Sequence, residues 1–167
     1  MLVRKYKEAD SQAIADIYNE SIIQGGITMD TAVKNAEDIR SLVKKFNSRE
    51  IMLVAQEEEQ VIGWGIIKSY SDRWGYRVCC ETSTYITLQE TGRGYGSQLQ
   101  KELLEQVAEF GYHHVVAKIM ASNQGSINFH KRFGFEIVGV QKEVGFMEGC
   151  WHDVAIMQLI LPHVGAI

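Results

Sequence analysis

Apolar positions open the chain at Leu2 and Val3, in a stretch to Lys5 that reads as a short strand. They then recur at helical spacing at Ala13, Ile14, Ile17, Tyr18 and Ile22, and Gly25-Gly26 stops that helix. Asn35 is a good N-cap for a second helix: Asp38 stands at its third position, and Ile39, Leu42, Val43 and Phe46 form an i, i+3, i+4, i+7 stripe. From Ile51 the signal changes. Ile51 to Ala55, an acidic turn from Glu57 to Gln60, and Val61 to Ile67 predict a strand hairpin.

A polar and aromatic loop, Ser69 to Arg77, leads into a strand from Val78 to Leu88. Its alternation puts Cys79, Glu81, Ser83, Tyr85 and Thr87 on one face and Cys80, Thr82, Thr84 and Ile86 on the other. The strand runs into Thr91-Gly92-Arg93-Gly94-Tyr95-Gly96-Ser97. A helix follows with Leu99, Leu103, Val107 and Phe110 inward, closed by Gly111, and then a buried strand from Val115 to Met120. Asn123 to Phe133 is a short helix ending at Gly134. Phe135 to Val144 and Cys150 to Leu161 make a closing hairpin across Met147-Glu148-Gly149. The order β-α-α-β-β-β-α-β-α-β-β is that of one α+β domain over residues 1–167, an antiparallel front half joined to a parallel strand pair.

Composition narrows the function. With 46% hydrophobic residues, seven tyrosines, six phenylalanines and three tryptophans, the chain is a folded globule rather than a disordered segment. A net charge of -4 leaves no basic footprint, so a nucleic-acid partner is not expected. No apolar run approaches the roughly 20 residues of a membrane span, and the first residues lack a signal-peptide core, so a cytoplasmic protein without a membrane partner is expected. Cys79, Cys80 and Cys150 fit neither a disulfide framework nor a zinc spacing, and no metal is expected.

Two features carry chemistry. Gly92-Arg93-Gly94-Tyr95-Gly96-Ser97 sets amides unobstructed by side chains at the positive end of a helix, a grip for pyrophosphate; the alternative is a tight turn whose glycines only relieve strain. It matches neither the P-loop nor the dinucleotide fingerprint. Glu81 is a lone carboxylate in an apolar strand, a candidate proton acceptor whose pKa burial would raise, or else a structural partner of an arginine such as Arg77. The adjacent His113 and His114 read as surface residues, and Trp64, Trp74 and Trp151 as core or pocket wall.

The glycine loop after Tyr85-Ile86, together with Asn123-x-x-Ser126-x-x-Phe129-His130-x-x-x-Gly134-Phe135, resembles the GNAT superfamily of acetyl-CoA-dependent N-acetyltransferases. Ile17-Tyr18-Asn19, Thr28-Met29-Asp30-Thr31, Tyr76-Arg77, Glu81, Ser83-x-Tyr85 and Val144-Gly145 through Gly149-x-Trp151-x-Asp153-Val154 extend the likeness to the phosphinothricin and methionine sulfoximine acetyltransferases. The chain departs from that branch at Thr91, where arginine or glutamine is usual, at Met29 in place of an aromatic residue, at His152 in place of an apolar one, and in a Ser69 to Trp74 loop without the Arg-Pro pattern.

The resemblance implies acetyl-CoA as co-substrate, held by the backbone of Thr84, Tyr85 and Ile86, by Gly92, Arg93, Gly94, Tyr95, Gly96 and Ser97, and by Asn123. It implies Glu81 as the catalytic base. His130, where many members have a tyrosine acid, either assists proton transfer or is a packed helix histidine. The implied acceptor is the amine of a small amino-acid-like molecule. Its carboxylate would meet Arg73 or Arg77, with hydroxyls from Thr82 and Ser83 nearby; the alternative pairs Arg77 with Glu81 and leaves Arg73 solvated. A homodimer, with the closing hairpin near the partner's site, is also implied. Two other readings stand beside this one: a protein N-terminal or lysine acetyltransferase, and a non-catalytic acyl-CoA sensor.

Overall fold

The structure, a computed structural model, describes residues 1–162. Seven strands, β1 (Leu2–Lys5), β2 (Ile51–Glu57), β3 (Gln60–Ser69), β4 (Cys79–Ile86), β5 (His114–Met120), β6 (Glu136–Met147) and β7 (Cys150–Ile160), form one sheet in the order β1-β2-β3-β4-β5-β7-β6. Four helices, α1 (Ser11–Gln24), α2 (Ala36–Val43), α3 (Tyr95–Glu109) and α4 (Gln124–Arg132), fall between the strands in the expected order. Every neighbouring pair is antiparallel except β4 and β5, whose connection is α3.

Helix α2 begins where its capping box predicts. Asn35 Oδ1 accepts from the amides of Glu37 and Asp38, and Asp38 Oδ2 accepts from the Asn35 amide. It ends earlier than the apolar stripe: the amides of Lys45 and Phe46 reach only to the carbonyls three residues back, tightening the chain out of the helix. Phe46 nevertheless packs against the core beside α1 and α2. The tip of the closing hairpin has positive φ at both Glu148 and Gly149, the conformation a two-residue hairpin loop demands.

The sheet separates two apolar cores. On one face Leu99, Leu103 and Val107 of α3 and Ile127 of α4 pack on Cys80, Val115 and Ala117; on the other, Ile14 and Ile17 of α1 and Ile39 of α2 pack on Met52, Val54, Trp64 and Ile66. Full burial of each of the larger side chains is worth about 1.5–3 kcal/mol. Because α1 and α2 lie over β2 and β3, the same face of β4, β5, β7 and β6 borders an open trough.

Strands β4 and β5 pair only at Cys79 with His114, Cys80 with Val115 and Glu81 with Val116. Beyond Glu81 they part, while β4 stays paired with β3 as far as Ile86. The backbone groups of β4 that face the split are therefore left without a strand partner, an arrangement that a ligand with peptide-like amides can complete.

Candidate active site

Three cavities meet around the split. The first, of about 600 Å³, is lined by Thr84, Ile86, Gly92, Gly94, Gly96, Ser97, Asn123, Phe129 and His130. Gly94 caps α3 in the left-handed conformation (φ 86°), and Gly92 also has positive φ. The ladder of α3 starts with Ser97 and Gln98 donating to the Gly94 carbonyl, so the amides ahead of it face out of the helix end, where an anion is favoured. Side chains added at Gly92 or Gly94 would meet no neighbour, so the strained backbone rather than crowding calls for glycine there. Glu20 of α1 steadies the approach to this loop by accepting from Thr87 Oγ1 and the Leu88 amide.

The second cavity, about 50 Å³, fills the gap between the parted strands and is bordered by Thr82 to Tyr85, Lys118, Asn123 and His130. The third is the trough, about 1070 Å³, whose lining includes Glu81, Ser83, Tyr85, His114, Lys118 and Met29. Lys118, Ser83 and Tyr85 border both gap and trough. A glycine-lined cavity, a narrow gap and a trough bordered by a carboxylate thus lie in sequence, and β4 divides the first from the last.

Residues 3–156 match the Acetyltransferase (GNAT) domain family. The chain belongs to that family. The acetyltransferase is 32% identical to an L-methionine sulfoximine/L-methionine sulfone acetyltransferase of Pseudomonas aeruginosa, over 95% of this chain and 94% of the relative. Among solved structures it superposes on a ribosomal-protein-alanine N-acetyltransferase from Brucella melitensis, with a TM-score of 0.92, 33% identity, and 96% and 100% of the two chains covered. A GNAT superfamily phosphinothricin acetyltransferase from Sinorhizobium meliloti, solved in complex with AcCoA, superposes with a TM-score of 0.90 and 30% identity over 96% and 88% of the chains.

The expected donor-side residues converge on the first cavity, with three exceptions. Arg93 is largely exposed and pairs with Glu90 at 3.0 Å, and the side chain of Tyr85 turns to the acceptor side and stacks on Trp64 at 4.6 Å. Tyr95 packs against the core beside α3. Asn123 Oδ1 caps α4 by accepting from the Ser126 amide, which leaves its NH2 group as the donor for a ligand. Thr84 Oγ1 donates to the wholly buried Gln100 Oε1 at 2.7 Å.

On the acceptor side several expectations change. Glu81 is paired with Lys118 of β5, Nζ to Oε2 at 2.7 Å, and not with Arg77. Arg77 lies over the Trp74 ring, Arg73 is exposed at the start of a single turn of 3₁₀ helix, and neither borders the trough. Thr82 is 2% exposed on the opposite face from Glu81, as strand alternation requires, with its hydroxyl unpartnered against the gap. Only Ser83, of the two hydroxyls, reaches the trough.

His130 is buried, and its Nδ1 lies 2.8 Å from the Ser126 carbonyl. A carbonyl only accepts, so the proton sits on Nδ1 and the free lone pair on Nε2. Burial holds the ring's pKa below the usual histidine value. In that form it can take up a proton and has none to give to a leaving thiolate. His113 and His114 are half-buried instead of surface residues, because His114 opens β5 and His113 Nδ1 contacts the Leu161 carbonyl. Trp64 is buried as expected, whereas Trp74 and Trp151 are 78% and 63% exposed.

Proposed function

We propose that the chain is a cytoplasmic, homodimeric N-acetyltransferase domain that moves the acetyl group of acetyl-CoA onto the amine of a small amino-acid-like acceptor. The observation that carries this reading is the meeting of the glycine cradle and the Glu81 trough at the point where β4 and β5 part. When bound, acetyl-CoA supplies a thioester whose C–S bond is exchanged for the C–N bond of the product amide, the thiolate leaving.

On this reading the amides of residues 92–97 and the Asn123 NH2 group hold the donor, and the unpaired backbone of β4 aligns its arm. Glu81 takes the proton of the acceptor's ammonium, which at pH 7 must be lost before nitrogen can attack. The names of the Pseudomonas aeruginosa and Sinorhizobium meliloti relatives favour an amino-acid-like acceptor, and that of the Brucella melitensis protein keeps a protein N-terminus as the second reading. Among the described residues no helix is long and apolar enough to cross a membrane, and no cluster of three or more His, Cys, Asp or Glu could hold a metal.

The test follows thiol release from acetyl-CoA with methionine sulfoximine, phosphinothricin, free amino acids and an alanine-initiated peptide as acceptors. Efficient turnover of the free amino-acid analogues is expected. In Glu81→Gln turnover should fall about a hundredfold while acetyl-CoA binding persists. Preference for the peptide would favour the protein-acceptor reading, and binding without turnover on any amine would favour a sensor.

A further inference from the structure

Among the described residues bordering the trough, Glu81 is the one carboxylate and Lys118 the one lysine or arginine. They touch at 2.7 Å. The register explains why they meet: Glu81 is level with Val116 on β5, and Lys118 stands two residues further along the same face, just beyond the last paired position. Lys118 also borders the gap between the strands. Two other basic groups near Glu81 are placed differently. Lys68, level with it on β3, has its ammonium 5.7 Å from the Phe46 ring, and His114 is held neutral by burial and by the neighbouring His113.

We propose that Lys118 binds the carboxylate of the acceptor, so that the Glu81–Lys118 pair is a template for the zwitterion of a free α-amino acid. The inference rests on the amino-acid acetylation reading above and adds the residue that selects for it. An α-amino acid carries its ammonium and carboxylate on one carbon, within contact distance of each other. Laid against the pair, its ammonium meets Glu81 and its carboxylate meets Lys118, and the four charges alternate in sign.

Both side chains are partly solvated, Lys118 by 48% and Glu81 by 31%, so exchanging one ion pair for two requires little desolvation. Because Lys118 stands at the mouth of the gap, a carboxylate held there sets the amine beside the place where donor and acceptor cavities join. A lysine lacks the fork by which an arginine orients a carboxylate, but here Glu81 supplies the second fixed point. A peptide amine, whose carboxylate has become an amide, would leave Lys118 without its anion.

The experiment compares L-methionine sulfoximine with its carboxamide in the parent enzyme, Lys118→Met and Lys118→Arg, taking the ratio of kcat/KM values within each protein so that differences in amine basicity cancel between proteins. The parent should prefer the acid. Lys118→Met should raise the KM of the acid at least about tenfold, leave that of the carboxamide and of acetyl-CoA near the parent values, and abolish the preference. Lys118→Arg should restore much of it. A Lys118→Met enzyme that keeps the parent's preference, or that loses acid and carboxamide turnover equally, overturns the assignment of Lys118 alone. A parent enzyme indifferent to the carboxylate overturns the amino-acid reading on which it rests.

Discussion

At the scale of single residues, the buried His130 ties stability to pH. Its ring is neutral in the folded protein because burial depresses its pKa, whereas in the unfolded chain it takes up a proton near the usual value of about 6.5. The unfolded state therefore binds more protons below that pH. Stability attributable to this residue is complete above the unfolded value and is lost as pH falls towards the folded one. His130→Gln should flatten the decline in urea midpoint between pH 7.5 and pH 5.5 without abolishing it, since His114 is depressed in the same direction. Parallel declines in parent and variant would show that His130 is not buried as a neutral ring. Sequence could locate this histidine on a helix but not its hydrogen bond, which depends on the Ser126 carbonyl one turn back. Lys118 was hidden for a different reason. It lies within a strand that reads as buried, and its pairing with Glu81 depends on where the β4–β5 pairing ends.

At the scale of elements, the alternation of β4 and the stripe of α3 were legible because period 2 and period 3.6 survive whatever surrounds them. The loop between them was legible in composition, and its proposed role in holding the donor hangs on backbone conformation. Gly94 at φ 86° opens α3, and a branched side chain there is strained even though nothing crowds it. Gly94→Val should raise the dissociation constant of acetyl-CoA at least tenfold by calorimetry, with helix content retained by circular dichroism. Unaltered affinity would mean that the amides of this loop do not hold the phosphates. Strand β6 was read in advance as Phe135 to Val144, but its register was not. Its pairing with β7 shifts register twice, between Ile137 and Gly139 and between Gln141 and Gly145, and each irregularity breaks the alternation that would mark a strand. Gly145 lies directly against the Met29 side chain, a contact joining the loop after α1 to this hairpin that no local pattern announces.

At the scale of the molecule, half of the exposed large apolar residues among those described lie on the closing hairpin. Val138, Val144, Phe146 and Trp151 are each more than half exposed, and Phe146 and Trp151 pack ring to ring at 4.8 Å. Such a patch favours an interface over free solvent, and it supports the proposed homodimer. Sedimentation should give twice the chain mass for the parent, and Trp151→Asp should move it towards the monomer with loss of acceptor turnover. A parent protein that sediments as a monomer at micromolar concentration removes the dimer. The tryptophans show why tertiary placement resisted reading: residue type predicted walls and core, but Trp74 and Trp151 sit on a short 3₁₀ turn and a hairpin that leave them exposed.

In the proposed function, strand β4 serves donor and acceptor from its two faces. Thr82, Thr84 and Ile86 face the cofactor side, and Glu81, Ser83 and Tyr85 face the trough. The division makes the two specificities separately evolvable. On that reading, exchanges at the odd positions can retune which amine is accepted while the backbone of β4 proposed to align the donor is untouched, so descendants can diversify in acceptor without relearning their donor. The same economy makes the strand intolerant of a change in length: one residue inserted before Glu81 would turn every later side chain to the wrong face and transpose the two halves of the reaction.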